Sequence, residues 1–279
     1  MNGTKKIKYS RTDQIILGIA YVFLGVFVLS ILIPLIYVVL ASFMDPTVLN
    51  NQGLSFHIKD WTLDAYRRVL ENDMIWRGFL NSFLYSIAFT AISVFVTLLA
   101  AYPMSKKEFV GRKFFNIIFL ITMFFGGGMI PTFILINQLH MVNTIWAILI
   151  PGAFNVWNMI LARTYYQSIP KELREASAID GAGKLSQFFH VTLPGIMPSF
   201  WFLLMTRIIG SLQMFDIVYT LTGGGPSRST TTLVVYIYDT AFKSLGKTGY
   251  ATAMSEVLFG FIMIITVIMY TIMNKTSDD

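Results

Sequence analysis

Long apolar stretches alternate with short polar segments along the whole chain. A helix of about twenty apolar residues crosses a bilayer, and six stretches reach that length. They lie near residues 16–43, 78–104, 114–136, 144–163, 197–220 and 251–273. The pattern therefore predicts an all-α integral membrane protein with six transmembrane helices and with both ends of the chain on one side of the membrane.

Positive charge indicates which side that is, because loops rich in lysine and arginine stay in the cytoplasm. Four basic residues lie within residues 1–14, whereas the loop after the third stretch contains no lysine or arginine. The loops that we predict to be cytoplasmic contain Lys106, Lys107, Arg112, Lys113, Arg163, Lys171, Arg174 and Lys184. We therefore expect the N- and C-termini to be cytoplasmic.

Composition supports a membrane location and argues against several other classes of protein. Of the 279 residues, 55% are hydrophobic and 13% are charged, whereas soluble domains have about a quarter of charged residues. The basic residues behind the net charge of +6 lie beside apolar stretches, so they do not indicate binding to nucleic acid. The chain has no cysteine and its three histidines lie in separate loops, so we expect no disulfide, no metal site and no catalytic residue.

One polar segment between two apolar stretches has the pattern of ordered structure. Pro170 suits the first turn of a helix and Gly181 suits its end, which predicts a helix over residues 170–180. Apolar residues at helical spacing within residues 185–189 predict a second short helix before two prolines interrupt the pattern. We therefore expect segment 168–197 to form two short helices joined by a sharp turn outside the bilayer.

The sequence Glu175-Ala176-Ser177, followed at fixed spacing by Gly181 and by Leu193-Pro194, resembles the cytoplasmic "EAA" loop of binding-protein-dependent ABC importer permeases. In that family the loop forms coupling helices that dock in a cleft of a separate ATPase subunit. Ser177 departs from the family pattern, which usually has a second alanine there. The residues that the resemblance assigns to ATPase coupling are Glu175, Ala176, Ser177, Asp180, Gly181, Leu193 and Pro194.

The resemblance also implies a fold and partners. The fold is that of a type I ABC importer permease, with residues 1–76 forming the first helix and an external loop, 77–273 the core domain and 274–279 a cytoplasmic tail. The implied partners in a prokaryotic plasma membrane are a second permease subunit, a cytoplasmic ATPase dimer and an extracytoplasmic solute-binding protein. The ATPase would use ATP and Mg²⁺, and we expect this chain to bind no cofactor.

The sequence supports the view that ATP hydrolysis belongs to a partner. The nearest approach to a Walker A sequence is Gly246-Lys247-Thr248, but Ala241 stands where its first glycine should be. We therefore expect a transport subunit and not an enzyme.

Two glycine-rich segments resemble the sugar-importing branch of this permease family. Phe125–Pro131 either lines the interior as a broken helix or lets a neighbouring helix approach closely. Leu221–Pro226 is a turn-rich loop before an aromatic segment suited to the membrane interface. The resemblance implies a carbohydrate substrate, an oligosaccharide. A non-sugar solute stays open, as does an ion-driven carrier that uses Asp216 or Glu256.

Polar residues inside apolar stretches are costly, so they are candidates for the translocation path. The candidates are Asn155, Asn158, Arg207, Ser211, Gln213 and Asp216. Asn155 and Asn158 are three residues apart and are expected on one face of a helix. Each candidate has an alternative role in holding helices together, and Arg207 can do so by binding backbone carbonyls. We expect most of the remaining apolar surface to contact membrane lipid.

Overall fold

The computed structural model describes residues 10–278, and α-helices occupy most of that range. No β-strand occurs within it, and Met44 and Trp61 form an isolated β-bridge. The helices are α1 (Arg11–Ser42), α2 (Pro46–Gln52), α3 (Asp64–Glu71), α4 (Asp73–Ser105), α5 (Arg112–Phe124), α6 (Met129–Gln138), α7 (Trp146–Leu149), α8 (Val156–Ser168), α9 (Lys171–Ile179), α10 (Lys184–Gln187), α11 (Leu193–Gly195), α12 (Met197–Leu212), α13 (Asp216–Leu221), α14 (Leu233–Lys243) and α15 (Thr248–Asp278). The predicted all-α class is confirmed. Most basic residues of the N-terminal segment predicted to be cytoplasmic lie outside the described residues, as does the last residue of the predicted tail.

Three helices within residues 10–278 are long and apolar enough to cross a membrane alone, namely α1, α4 and α15. Two bent helix pairs raise the number of candidate spans to five if each pair counts as one span. One pair is α5 with α6, and the other joins Lys184–Gly195 to α12. The sixth predicted span therefore stays a prediction.

Breaks interrupt three of the predicted spans. The third is broken at its glycines, where the chain bends by 118° between α5 and α6, so the predicted weakness at residues 125–131 is confirmed. The fourth, 144–163, consists of the short α7 and α8 with irregular residues 150–155 between them, because Pro151 cannot continue a helix. The fifth was expected to reach residue 220 as one helix, but α12 ends at Leu212 and α13 is separate.

The described chain divides into two compact units. The first comprises the residues up to Val69 together with Thr240–Glu256, and the second comprises Leu70–Asp239 together with the residues from Val257 onward. In the first unit, Asn50 Nδ2 donates a hydrogen bond to Gly246 O at 2.9 Å and so ties two distant parts of the chain together. The segment 168–197 and every candidate path residue belong to the second unit.

The core of the second unit lies where α4 packs against α8 and α12. α4 begins after Asn72, whose side-chain oxygen accepts a hydrogen bond from Met74 N at 2.9 Å. Its buried face contains small polar residues three or four positions apart, namely Ser82, Ser86, Thr90, Ser93 and Thr97. Small side chains let membrane helices approach closely, and Met159 and Leu203, each 1% exposed, fill the space between the helices.

Candidate functional site

The segment 168–197 begins with a helix that ends in a defined turn, and we call it the coupling segment after the family loop that its sequence resembles. α9 covers Lys171–Ile179, within one residue of the predicted bounds at each end. Ala182 N donates to Ser177 O at 3.0 Å and Gly181 N donates to Ala178 O at 3.1 Å. These two hydrogen bonds define a Schellman turn, and Gly181 occupies its left-handed position with φ +80°. The predicted turn at Gly181 is therefore confirmed.

The second half of the coupling segment differs from the regular helix that the sequence predicted. α10 ends at Gln187, and residues 188–192 form a π turn before α11. Gln187 Nε2 donates to Ala182 O at 2.8 Å and so holds α10 against the turn. Phe188 packs edge-on against Tyr102 of α4, with ring centroids 6.2 Å apart. The chain then bends by 71° into α12.

Two surfaces of the coupling segment have different roles. Leu193 and Ile196 pack into the core between α4 and α8. The other surface exposes large apolar side chains outside the predicted spans, namely Leu173 (55% exposed), Ile179 (86%), Leu185 (76%) and Phe189 (57%). Glu175, Ala176 and Asp180 are also exposed. One surface thus joins the segment to the helical core, and the other is available to a partner.

A cleft of about 630 Å³ lies between the coupling segment, the end of α8 and the loop that joins α4 to α5. Its charged lining residues are Lys106, Lys107, Glu108, Arg112, Lys171 and Glu175. Lys171 Nζ lies 4.0 Å from Glu108 Oε1. The backbone N–H of Glu108 and the charge of Lys171 lower the pKa of the Glu108 carboxyl. Cations outnumber carboxylates here, as is typical of the cytoplasmic side of a membrane protein.

Arg207 bridges the break in the fourth predicted span. Its Nη2 donates to Gly152 O and to Ala153 O, each at 3.3 Å. Its guanidinium carbon lies 5.7 Å from the centre of the Phe89 ring, and Ser93 Oγ donates to Ala153 O at 2.5 Å. These contacts satisfy carbonyls that a break leaves without helical partners in the membrane.

The other path candidates occupy capping, buried and exposed positions. Asn155 lies outside α8 as its N-cap, and its Oδ1 accepts a hydrogen bond from Asn158 N at 3.0 Å. The expectation that both asparagines lie on one helical face is therefore wrong. Ser211 is buried and donates to the backbone of its own helix. Gln213 and Asp216 are exposed where α12 ends and α13 begins.

The segment between α13 and α14, residues 222–232, is held together by its threonines, and we call it the threonine loop. Thr230 Oγ1 lies 2.6 Å from Gly225 O and 2.9 Å from Thr222 Oγ1. Thr231 Oγ1 donates to Gly224 O at 3.3 Å. These contacts satisfy backbone and hydroxyl groups that are partly or fully buried.

α4 anchors the threonine loop. Asn81 Nδ2 donates to Ser229 O and to Thr231 O, each at 3.0 Å. Leu233 N donates to Ser82 Oγ at 2.9 Å. The tip of the loop is nevertheless exposed. The loop is therefore an ordered projection from the second unit.

Sequence reasoning did not identify two parts of this arrangement. Ser93 was missed because nothing local distinguishes it from the other small polar residues of α4. The break that Arg207 bridges has a local signal, the dipeptide Pro151-Gly152, but the high apolar content of the stretch favoured a continuous helix.

A family profile described as "Binding-protein-dependent transport system inner membrane component" matches residues 7–278. The match covers nearly the whole chain. The chain belongs to this family. As an inner membrane component of a transport system, it is a membrane protein whose long apolar helices suit the plasma membrane of a prokaryote.

This inner membrane component is similar to permease proteins of saccharide transport systems. The polygalacturonan/rhamnogalacturonan transport system permease protein YtcP of Bacillus subtilis (strain 168) is 35% identical over 179 residues, which are 64% of this chain and 63% of that protein. The chain thus matches less than two thirds of the length of YtcP. The probable starch degradation products transport system permease protein AmyD of Thermoanaerobacterium thermosulfurigenes is 27% identical over 280 residues, 89% of this chain and 93% of that protein.

A solved structure supports the same fold for this inner membrane component. It is the crystal structure of a bacterial ABC transporter involved in the import of the acidic polysaccharide alginate. The TM-score is 0.77 at 27% sequence identity, and the alignment covers 97% of this chain and 99% of that chain. The two chains therefore share a fold over nearly their whole lengths.

Proposed function

We propose that this chain forms one half of the membrane pathway of an ATP-driven importer for oligosaccharides. It pairs with a second permease subunit and receives its substrate from an extracytoplasmic solute-binding protein. A cytoplasmic ATPase dimer uses ATP and Mg²⁺ to drive the cycle, and this chain binds no cofactor and catalyses no reaction. The family match and the saccharide relatives support this function.

The proposed topology has six crossings, and the third, fourth and fifth crossings are broken helices. The N- and C-termini are cytoplasmic, as are the coupling segment and the cation-rich cleft beside it. The threonine loop then lies on the extracytoplasmic side. The distribution of lysine and arginine supports this orientation.

The observation that carries the ATPase assignment is the exposed apolar surface of the coupling segment. Large apolar side chains exposed outside the membrane are typical of an interaction site, and Ile179 and Leu185 are among the most exposed apolar residues of the segment. The Schellman turn at Gly181 fixes the geometry between α9 and α10. A partner that moves this surface also moves Leu193 and Ile196, which pack in the core. That connection can shift a helical bundle between two states.

Leu185→Asp is expected to release the ATPase from the purified complex. The substitution replaces one of the exposed apolar side chains by a charge, and burying an unpaired charge in an interface is strongly unfavourable. The measurement is the amount of ATPase that co-purifies with the detergent-solubilised permease. The control is Val110→Asp, because Val110 is 99% exposed in the nearby loop but lies outside the coupling segment.

Equal retention of the ATPase by both variants would contradict the assigned docking surface. A wild-type complex that transports substrate without any ATPase subunit would overturn the proposed function itself. An ion-driven carrier would give that second result.

The relatives leave the charge of the saccharide open. Polygalacturonan and alginate are acidic polymers, whereas starch degradation products are neutral. Residues along the translocation path of this chain must therefore decide which class fits.

A further inference from the structure

The C-terminal half of α12 and its C-cap residue Gln213 carry polar groups on one surface. Thr206, Gly210 and Gln213 are exposed along it, and Arg207 lies half-buried between them. Gly152, in the break of the fourth predicted span, is exposed beside Arg207. Ionisable residues inside membrane proteins face the bundle interior or a water-filled cavity. We call this surface the Arg207 face.

Arg207 has more hydrogen-bonding capacity than its contacts use. A guanidinium has five N–H donors, and the contacts to Gly152 O and Ala153 O both come from Nη2. Nε is buried and has no hydrogen-bond partner. Within residues 10–278, no hydrogen bond uses Nη1 and no carboxylate forms an ion pair with Arg207. Among the described residues, carbonyl dipoles and the Phe89 ring are therefore the groups that stabilise its positive charge.

A full positive charge without a counter-ion is costly in a membrane protein unless an anion or water reaches it. The hydrogen bonds to the two carbonyls hold the Arg207 side chain in place. A neutral donor could make the same hydrogen bonds, so they do not explain why the residue is charged. Ser93 already donates to one of these carbonyls. The charge itself is therefore left without a structural explanation.

We propose that the missing counter-ion is the substrate, and that Arg207 contacts the carboxylate of an acidic saccharide as it passes α12. This inference rests on the proposed import function and specifies its substrate class as uronate-containing oligosaccharides. The free Nη1 group supplies charge-assisted donors to the carboxylate. One ion pair with Arg207 binds the saccharide weakly, so the saccharide can dissociate and continue along the translocation path.

Gly210 offers a test that leaves Arg207 and its carbonyl contacts intact. It lies three residues after Arg207, so both side chains project from the same surface of α12. A Cβ added to Gly210 meets no atom within 4 Å, so a side chain can begin there without a clash. Gly210→Asp gives Arg207 a carboxylate partner within the chain, whereas Gly210→Asn adds the same volume without charge.

The experiment uses the complete importer with its solute-binding protein in proteoliposomes, fed with trigalacturonate or with its neutral methyl ester. We expect Gly210→Asp to take up trigalacturonate at least tenfold more slowly than Gly210→Asn, with equal uptake of the ester by the two variants. Equal uptake of trigalacturonate would overturn the inference. If both variants block both saccharides, Arg207→Gln decides: selective loss of trigalacturonate supports the inference, and any other pattern overturns it.

The wild-type importer separates this inference from the proposed function. Uptake of the neutral ester without uptake of trigalacturonate leaves a saccharide importer in place but overturns the role of Arg207. If the importer takes up neither saccharide but takes up an unrelated solute with ATP, the result overturns both the role of Arg207 and the proposed function. Arg207→Lys keeps the charge, so it should retain the preference for trigalacturonate over its ester.

Discussion

Gly181→Val is expected to uncouple ATP hydrolysis from uptake while the complex stays assembled. Gly181 has φ +80°, and an added Cβ would meet no atom within 4 Å, so the cost comes from the backbone and not from a clash. A residue other than glycine in that conformation costs about 1–2 kcal/mol, and a β-branched residue costs more. The Schellman turn therefore opens, and α9 and α10 lose their fixed geometry.

We expect at least a tenfold fall in substrate imported per ATP hydrolysed, measured in proteoliposomes that contain the intact importer. The matched control is Gly183→Val. Gly183 also has open space around its Cβ, but its φ of −65° suits any residue. Unchanged coupling in Gly181→Val, or equal loss in the two variants, would contradict the role of the turn.

Gly224→Ala is expected to disrupt the threonine loop and to reduce uptake by about tenfold or more. Gly224 has φ +81°, and an added Cβ would overlap Thr231 Oγ1. The methyl group must displace Thr231, which breaks its hydrogen bond to Gly224 O and disturbs the Asn81 contact to Thr231 O. Backbone strain and overpacking together cost about 2–5 kcal/mol.

Proteolysis of the loop from the side that we propose to be extracytoplasmic, followed together with uptake, measures this effect. Gly223→Ala is the control because Gly223 also has a positive φ, of +55°, but its nearest neighbour is Tyr219 O at 4.0 Å. Gly223→Ala therefore introduces the backbone strain of a positive φ but no overlap with Thr231. If the two variants lose uptake to the same extent, the contact with Thr231 does not hold the loop.

Local signals explain which parts of this structure the sequence could predict. The turn at Gly181 depends on residues within one short segment, so proline, glycine and charge positions were enough to place it. The break at residues 125–131 was predictable for the same reason, since three consecutive glycines weaken a helix wherever they occur. The long helices α1, α4 and α15 follow from apolar length alone.

Contacts between distant segments explain the rest. The π turn at residues 188–192 places Phe188 against Tyr102 and Leu193 in the core, and neither partner is visible from the local sequence. Asn155 was placed in a helix because its stretch is apolar, but it caps the helix that restarts after Pro151. The two carbonyls that bind Arg207 lie 54 and 55 residues away along the chain, beyond the reach of any periodicity.

The bend between α5 and α6 has a consequence for how the protein is made. At 1.5 Å per residue, the 13 residues of α5 and the 10 residues of α6 rise by about 20 Å and 15 Å, and a bilayer core is about 30 Å thick. Each helix alone is too short to span the core, so one of its ends would leave backbone carbonyls or amides without partners in hydrocarbon. Neither helix is therefore stable in lipid alone. In the proposed topology these pieces must enter the bilayer together with their neighbours as the ribosome delivers the chain, so we expect biogenesis here to be cooperative.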